Sequence, residues 1–209
     1  MIKLNKIGKR FRYEWIFRDL STTFEQGRRY AVLGPNGVGK STLMKILSGH
    51  LSPSEGKMSV IQDGKILEAD AIYRHVSYAA PYIDLIEEFT LTEAIDFHAK
   101  FHPLSKSMKI NDLIDILGFQ KSKDKEIRYF SSGMRQRLKL ALAICSDSPF
   151  LLLDEPTTNL DVQGVAWYRR LMQQYTEGSS RLVVIASNAP HDYDFCDATM
   201  NILDYKKAP

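Results

Sequence analysis

The 209-residue sequence predicts an α/β fold with a parallel-rich sheet, an antiparallel β region at the N-terminus and a helical insertion at about 82–130. Three observations predict this fold. Short apolar runs at 29–33, 150–156 and 182–186 suit strands buried on both faces of a parallel sheet, and helical segments separate them. The first 35 residues instead alternate short β-like runs with turns. From 90 to 117 the apolar residues follow a helical period.

In the first half of the chain, the sequence indicates where each strand and helix begins and ends. The strand at 29–33 leads directly into the glycine-rich segment GPNGVGKST. A helix is predicted from about Lys40 to Ser48, and Gly49 suits its C-terminal stop because glycine readily adopts the left-handed conformation found there. The strand KMSVIQ then ends at Asp63-Gly64, a hairpin signal, and VSYAA forms the next strand.

The second half alternates helices and strands. TLTEAIDF has a threonine followed by a glutamate ahead of an apolar face, as helix starts do. Further helices are predicted from about Met134 to Ser146 and near 163–176. The strand at 182–186 completes the alternation, and TMNIL is expected to add an edge strand. We therefore predict a single domain over residues 1–209, with a helical subdomain at about 82–130.

Composition and charge narrow the class of protein. The chain is 44% hydrophobic, which is enough for one sizeable core. Its net charge of +3 comes from 28 basic and 25 acidic residues that are scattered along the chain, and this balance by itself argues neither for nor against nucleic acid. No nucleic-acid partner is expected, on grounds of domain organisation. No run approaches the ~18 apolar residues of a membrane span, and the N-terminus lacks a signal-peptide core. Cys145 and Cys196 lack CxxC spacing, so reduced thiols and a cytoplasmic location are expected.

Residues 34–41 match the phosphate-binding motif G-x-x-x-x-G-K-[ST] in full, between a strand and a helix, and predict a P-loop NTPase core. The glycines let backbone N–H groups turn inward around an anion, and the helix N-terminus adds its dipole. Lys40 is expected to reach the outer phosphates, and the Ser41 hydroxyl to ligate Mg²⁺. The candidate nucleotide-binding residues are Gly34, Pro35, Asn36, Gly37, Val38, Gly39, Lys40, Ser41 and Thr42.

Two adjacent carboxylates, Asp154 and Glu155, end the apolar run that begins at Phe150. The preceding apolar residues should anchor the pair at the edge of the core. Asp154 is a candidate metal residue that acts through water, and Glu155 a candidate catalytic residue that orients and deprotonates the attacking water.

With these motifs in place, the sequence resembles the nucleotide-binding subunit of ABC transporters over essentially its whole length. FSSGMRQR at 130–137 is similar to the family's LSGGQ signature: Ser131 and Gly133 match, while Ser132 and Met134 depart from it. EPTTNLD is similar to the segment that runs into the D-loop, with Asp161 in place. The resemblance implies the ABC ATPase fold, ATP and Mg²⁺ as cofactors, and a head-to-tail dimer. In that dimer the signature of one subunit, through Ser131, covers the nucleotide on the other.

The resemblance also implies an aromatic residue that stacks on adenine. Counting back from Gly34 without gaps places Phe11 there, and Tyr13 would serve with a short gap. Packing in the core or on an edge strand is the other interpretation of either side chain.

The sequence departs from the family at two further positions. Where the family has a glutamine that contacts Mg²⁺ and the attacking water, an ungapped count gives Pro81, which has no donor, and Gln62 comes too early. Where the family has a histidine that bonds the γ-phosphate, this chain has Asn188, a shorter and neutral donor. His191 is an alternative if its loop bends back.

Two groups of polar side chains are interpreted as solvent-exposed. His98 and His102 fall at i, i+4 on a helix without a third metal ligand nearby. Asp192, Asp194 and Asp197 lack the glycine and glutamate of a Ca²⁺ loop.

The leading hypothesis is an ATP-hydrolysing motor subunit that closes as a homodimer, or with a related subunit, and drives a separate membrane-spanning permease. Hydrolysis is expected to be slow because of Pro81 and Asn188. The segment PYIDLIEEF, from about Tyr82 to Glu88, is the expected docking region, at the inner face of the membrane. The short length is similar to that of haem-exporter-like subunits. The alternative is an ATP-binding regulatory or assembly module with negligible hydrolysis. An ATPase acting on DNA or ribosomes is disfavoured because the chain has neither a second such domain nor a coiled-coil insertion.

Overall fold

A computed structural model describes residues 1–105 and 108–206, which form two sheets and six α-helices with short 3₁₀ turns between them. The strands are β1 (Ile2–Phe11), β2 (Glu14–Phe24), β3 (Arg29–Leu33), β4 (Glu55–Gln62), β5 (Lys65–Ile66), β6 (Val76–Ala79), β7 (Phe150–Asp154), β8 (Leu182–Ala186) and β9 (Ala198–Asn201). The helices are α1 (Lys40–Leu47), α2 (Leu91–Phe101), α3 (Ile110–Leu117), α4 (Ser132–Ile144), α5 (Val162–Thr176) and α6 (Pro190–Tyr193).

The central sheet is parallel and has the order β6-β7-β8-β3-β9. Within it, Asp154 and Val32 both pair with Ala186, so the ends of β7, β8 and β3 lie at one edge. Ligands of open parallel sheets bind at the carboxyl ends of the strands. This edge therefore brings together the glycine-rich loop after β3, the two carboxylates after β7 and the loop after β8.

The second sheet is antiparallel and has the order β2-β1-β4-β5. The predicted hairpin at Asp63-Gly64 is confirmed by the pairing of Ile61 with Ile66. The predicted edge strand is confirmed as β9, which pairs with β3 alone among the described strands.

The core lies on both faces of the central sheet. Every residue of β7 and β8 is buried, as the apolar runs at 150–153 and 182–186 predict, and Asp154 at the end of β7 is buried with them. One face packs against α2–α5, and the other against α1 and the antiparallel sheet. Within residues 1–105 and 108–206, no helix has the length and hydrophobicity of a membrane span.

The helical insertion is two helices, and the continuous helical pattern predicted from 90 to 117 is wrong in its middle. Helix α2 begins at Thr90 with the predicted capping box to Glu93 and ends at His102, whose backbone is extended. Pro103 explains this end because a residue before proline disfavours the helical conformation. Helix α4 begins two residues earlier than predicted, since the Ser131 side chain accepts the Met134 N–H and caps it.

Candidate nucleotide site

The loop between β3 and α1 forms a cradle that depends on two glycines. Gly39, with φ +118, precedes α1, and a Cβ there would lie 2.5 Å from the Ile16 side chain. Gly34, with φ +142, would place a Cβ 2.9 Å from Val38. Both backbone conformations are rare for other residues, so the shape of the loop requires the two glycines of the motif.

The cradle opens into a cavity of about 400 Å³. Its described lining is Ile16, Asn36, Gly37, Gly39, Lys40, Ser41, Thr42, Glu155 and Thr158. Of the other residues predicted in the loop, Gly34 accepts a hydrogen bond from Lys40, and the carbonyl of Pro35 accepts the Val38 N–H at 3.3 Å. The Val38 side chain is buried, so it shapes the loop from inside.

Lys40 lies between the loop and the Glu155 carboxylate. It is 5% exposed, and its Nζ donates to the Gly34 carbonyl at 2.8 Å and lies 3.2 Å from Glu155 Oε1. Glu155 Oε2 also lies 3.4 Å from the Ser187 hydroxyl oxygen, and the φ of Glu155, +45, is unusual for a residue with a side chain. Strain of this kind often accompanies function, and here it places the Glu155 carboxylate in the cavity.

Asp154 has the properties of a residue that can hold a metal ion, directly or through water. It is 1% exposed, and its Oδ1 has no hydrogen-bond partner among the described residues. Burial raises the pKa of its carboxyl group, while hydrogen bonds from the hydroxyls of Ser41 and Tyr82 lower it. A buried, unpartnered carboxylate oxygen beside a serine hydroxyl and a phosphate cradle fits Mg²⁺, which prefers one or two carboxylates together with substrate phosphates. The residues present therefore suit the predicted metal role of Ser41 and Asp154.

Tyr82 is a residue of this site that the sequence interpretation missed. Its hydroxyl donates to Asp154 Oδ2 at 3.1 Å, and it shares a further hydrogen bond with the Tyr78 hydroxyl. Burial raises the pKa of both phenols, which stay neutral at physiological pH. Pro81 is exposed, and Gln62 bonds Gln26, so neither supplies the contact made by Tyr82. The pattern YxxxY at 78–82, which begins within β6 and ends in the loop after it, is the signal that the sequence offered.

Asn188 lies at the rim of the cradle, as its place after β8 predicts. Its Nδ2 donates to Asn36 Oδ1 at 2.9 Å, which joins this loop to the phosphate-binding loop. His191 instead bonds the Thr157 hydroxyl at 3.0 Å, so the alternative that His191 replaces the family's histidine is not supported.

The signature-like residues lie elsewhere on the chain. Ser131 is exposed and caps α4, and a Cβ on Gly133 would approach the Asn159 carbonyl to 3.2 Å. Asp161 caps α5 by accepting the Gly164 N–H at 2.7 Å. Ser131, Gly133 and Asp161 are not among the described residues that line the cavity, so nucleotide contacts from them require a second chain.

Neither candidate for adenine stacking lines the cavity among the described residues. Phe11, at the end of β1, is 48% exposed, and the Lys9 ammonium lies 5.1 Å from its ring centroid. Tyr13 is 95% exposed in the turn between β1 and β2. Phe11 stays the proposed residue, with Tyr13 as the alternative.

A second cavity, of about 300 Å³, lies between the central sheet and the helical insertion. We call it the insertion groove, and its described lining is Tyr78, Ala79, Ile83, Asp84, Leu85, Ile86, Phe89, Ala94, Phe97, His98, Phe101, His102, Lys139, Leu142 and Ala143. Two surface assignments are wrong. His98 and His102 are half-buried in this groove, where His98 Nε2 bonds Ser146 Oγ at 2.9 Å. In the aspartate group only Asp192 departs from the prediction: it is 1% exposed and accepts a hydrogen bond from the Ser187 hydroxyl, while Asp194 and Asp197 are exposed as predicted.

The buried position of His98 predicts a pH-dependent stability. Burial and then the neighbouring His102 lower the pKa of His98 from 6.5 to about 4. The unfolded chain therefore binds more protons, and stability falls as the pH drops from near 6.5 toward 4. Between about pH 7.5 and about pH 5 this residue should remove about 2 kcal/mol of unfolding free energy. Urea unfolding across this range should show a smaller loss for His98→Gln, and equal losses would contradict the assignment.

Comparison with known proteins agrees with the geometry. A family model described as ABC transporter matches residues 17–158, more than half of the chain. The uncharacterized ABC transporter ATP-binding protein YybJ of Bacillus subtilis is 28% identical over 208 residues, covering 97% of this chain and 92% of YybJ. The lantibiotic transport ATP-binding protein SrtF of Streptococcus pyogenes is 28% identical, covering 93% of this chain and 85% of SrtF. Other relatives from Bacillus subtilis are longer, and the chain spans 61% and 66% of their length.

The fold is also found in solved structures. A dimeric structure of the ATP-binding cassette MJ0796, bound to ADP and Pi, matches with a TM-score of 0.84 at 20% identity, covering 97% of this chain and 94% of that one. This likeness confirms the predicted ABC ATPase fold. Together with the family match and the P-loop geometry, it confirms the resemblance drawn from the motifs. The chain belongs to the ABC transporter family, as an ATP-binding subunit with the residues of an Mg²⁺-dependent ATPase.

Proposed function

We propose that this chain is the ATP-hydrolysing motor subunit of an ABC transporter. The observation that carries the proposal is the ion pair between Lys40 and Glu155, which lie 3.2 Å apart and both line the cavity of the phosphate cradle. The pair joins the group that binds phosphate to the group that activates water, and Asp154 directly precedes Glu155 in the sequence.

The geometry supports an exchange of partners when ATP binds. The β- and γ-phosphates compete with Glu155 for the Lys40 ammonium, because both are anions within reach of the same charge. Once released, the Glu155 carboxylate is free to orient a water molecule at the γ-phosphate and to accept its proton. Mg²⁺, held by Ser41 and through water by Asp154, would neutralise charge on the phosphates.

The active form is a head-to-tail dimer, formed with a second copy or with a related subunit. Support comes from the position of Ser131, Gly133 and Asp161, which lie outside the cavity of their own chain. The N-terminus of α4 carries free N–H groups and a favourable dipole, so it suits the γ-phosphate of a partner chain.

The membrane-spanning partner docks at the insertion groove. Ile86, Phe97 and Phe101 line this apolar cavity and are 42–63% exposed, and Asp84 and Lys139 add charge to its lining. Exposed apolar patches with a polar rim are typical of protein interfaces. A subunit docked in this way would lie at the cytoplasmic face of the membrane. Relatives such as SrtF are named for transport, but this chain's substrate is set by the partner.

Turnover by the isolated chain should be slow, and Asn188 offers the test. The Asn188 amide is already bonded to Asn36 in this structure. An active site that lacks one preorganised donor to the transferring phosphate has an activation barrier about 3 kcal/mol higher, or a rate about a hundredfold lower. Asn188→His should raise steady-state phosphate release about tenfold or more, because it restores the longer donor. Asn111→His, on the exposed face of α3, is the matched control.

The same assay separates the two candidate functions. If the purified protein binds Mg·ATP without releasing phosphate, the regulatory or assembly module is the better function. If Asn188→Ala turns over as fast as the unmodified chain and Asn188→His gains nothing, Asn188 is not at the γ-phosphate.

A further inference from the structure

The two oxygens of Asp154 have different surroundings. Oδ2 accepts a hydrogen bond from the Tyr82 hydroxyl at 3.1 Å, while Oδ1 is buried and has no partner among the described residues. A carboxylate held by one oxygen can present the other in a fixed direction. The Tyr82 bond occupies Oδ2, and the Ser41 hydroxyl also bonds this carboxylate, while Oδ1 is left free to act on a cation or its water.

Three contacts hold Tyr82 in this place. The Lys45 ammonium lies 4.2 Å from the centroid of its ring, and the Tyr78 hydroxyl bonds its hydroxyl. Lys139, on α4, donates to the carbonyls of Ala80, Pro81 and Ile83 at 3.3, 3.0 and 3.2 Å, which fixes the loop on both sides of Tyr82. These contacts offset the conformational entropy that a tyrosine 42% exposed loses when it is ordered. They therefore keep the Tyr82 hydroxyl directed toward Asp154.

We propose that Tyr82 is the positioning residue for Asp154 and performs, through its phenol, the metal-side task that the family resemblance assigns to a glutamine. The inference rests on the proposed ATPase function, because it assigns a role within the same site. A neutral phenol suits this role, since it donates to the carboxylate without adding a charge that would repel the cation. Tyr78 lines the insertion groove, and its hydrogen bond to the Tyr82 hydroxyl helps to hold that hydroxyl in place.

The test measures cation binding directly, without turnover. Mn²⁺ is titrated into the protein with a non-hydrolysable ATP analogue, and free Mn²⁺ is followed by electron paramagnetic resonance. Removing an outer-sphere partner typically costs 10–100-fold in metal affinity, so Tyr82→Phe should weaken Mn²⁺ binding by about that factor. Affinity for the analogue in EDTA should not change, because the ring over Lys45 is kept. Tyr73→Phe, an exposed tyrosine that bonds Arg74, is the matched control.

The outcomes separate this inference from the function on which it rests. If Tyr82→Phe binds Mn²⁺ as tightly as the unmodified chain, the positioning role is wrong, while the proposed function stands. If the variant loses Mn²⁺ and also loses analogue affinity in EDTA, the hydroxyl supports the loop as a whole, which also overturns the role. If the unmodified chain binds no Mn²⁺ with the analogue, both proposals fail.

Discussion

Replacing Lys40 with alanine should weaken Mg·ATP binding by at least about a hundredfold, which corresponds to about 3 kcal/mol. Lys40 is 5% exposed and lines the cavity of the cradle, so its bonds to phosphate would be shielded from water. The variant also leaves the Glu155 carboxylate without its cation, and this unpaired charge would repel the phosphates. Titration with a fluorescent ATP analogue measures the loss, and circular dichroism checks that the fold is kept.

Two further variants separate the causes of that loss. Lys65→Ala removes the same charge from an exposed strand of the antiparallel sheet and should bind normally. Lys40→Ala combined with Glu155→Gln should recover part of the affinity, because the double variant removes the repelling carboxylate as well. Equal binding by Lys40→Ala and the unmodified chain would show that the phosphates bind elsewhere.

The parts of this site that the sequence predicted are those set by local geometry. The cradle requires glycine at positions 34 and 39, because a Cβ at either would clash. The loop conformation can therefore be predicted from the motif alone. Asp154 and Glu155 follow an unbroken apolar run, which can only be a buried strand or a buried helix segment. Strand ends of a parallel sheet share one edge, so these residues had to converge.

The contacts that the sequence did not predict join segments far apart in the chain. Tyr82 reaches Asp154 across 72 positions, and Asn188 reaches Asn36 across 152. Such bonds depend on loop paths that no periodic pattern encodes. An ungapped comparison stopped at Pro81, one residue short of the side chain that makes the contact.

The sequence also did not predict that the two histidines of α2 are partly buried. The spacing of His98 and His102 predicts only that they share a face of α2. Which neighbours cover that face depends on how the insertion packs against α4, where Ser146 follows the helix end and bonds His98. The histidines are consequently half-buried in a groove, although their sequence suits a solvated surface equally well.

Replacing Glu155 with glutamine should abolish most hydrolysis while leaving ATP binding intact or stronger. A positioned general base contributes about 10²–10⁴-fold to rate, and the amide cannot accept the proton from water. Binding should not suffer, because the neutral side chain no longer competes with the phosphates for Lys40, which lies 3.2 Å from Glu155 in this structure. Phosphate release and nucleotide titration on the same preparation measure both effects.

The ATP-bound Glu155→Gln chain should therefore accumulate as a dimer, visible by light scattering at saturating Mg·ATP. Adding Ser132→Glu tests the head-to-tail arrangement, because Ser132 is exposed at the first position of α4. A carboxylate suits a helix N-terminus and keeps the Ser131 cap, so the monomer should stay folded. In the dimer, however, the new charge would face the partner's γ-phosphate, and dimer formation should be lost. If Glu155→Gln alone stays monomeric with ATP bound, the homodimer is wrong and pairing with a related subunit becomes the better arrangement.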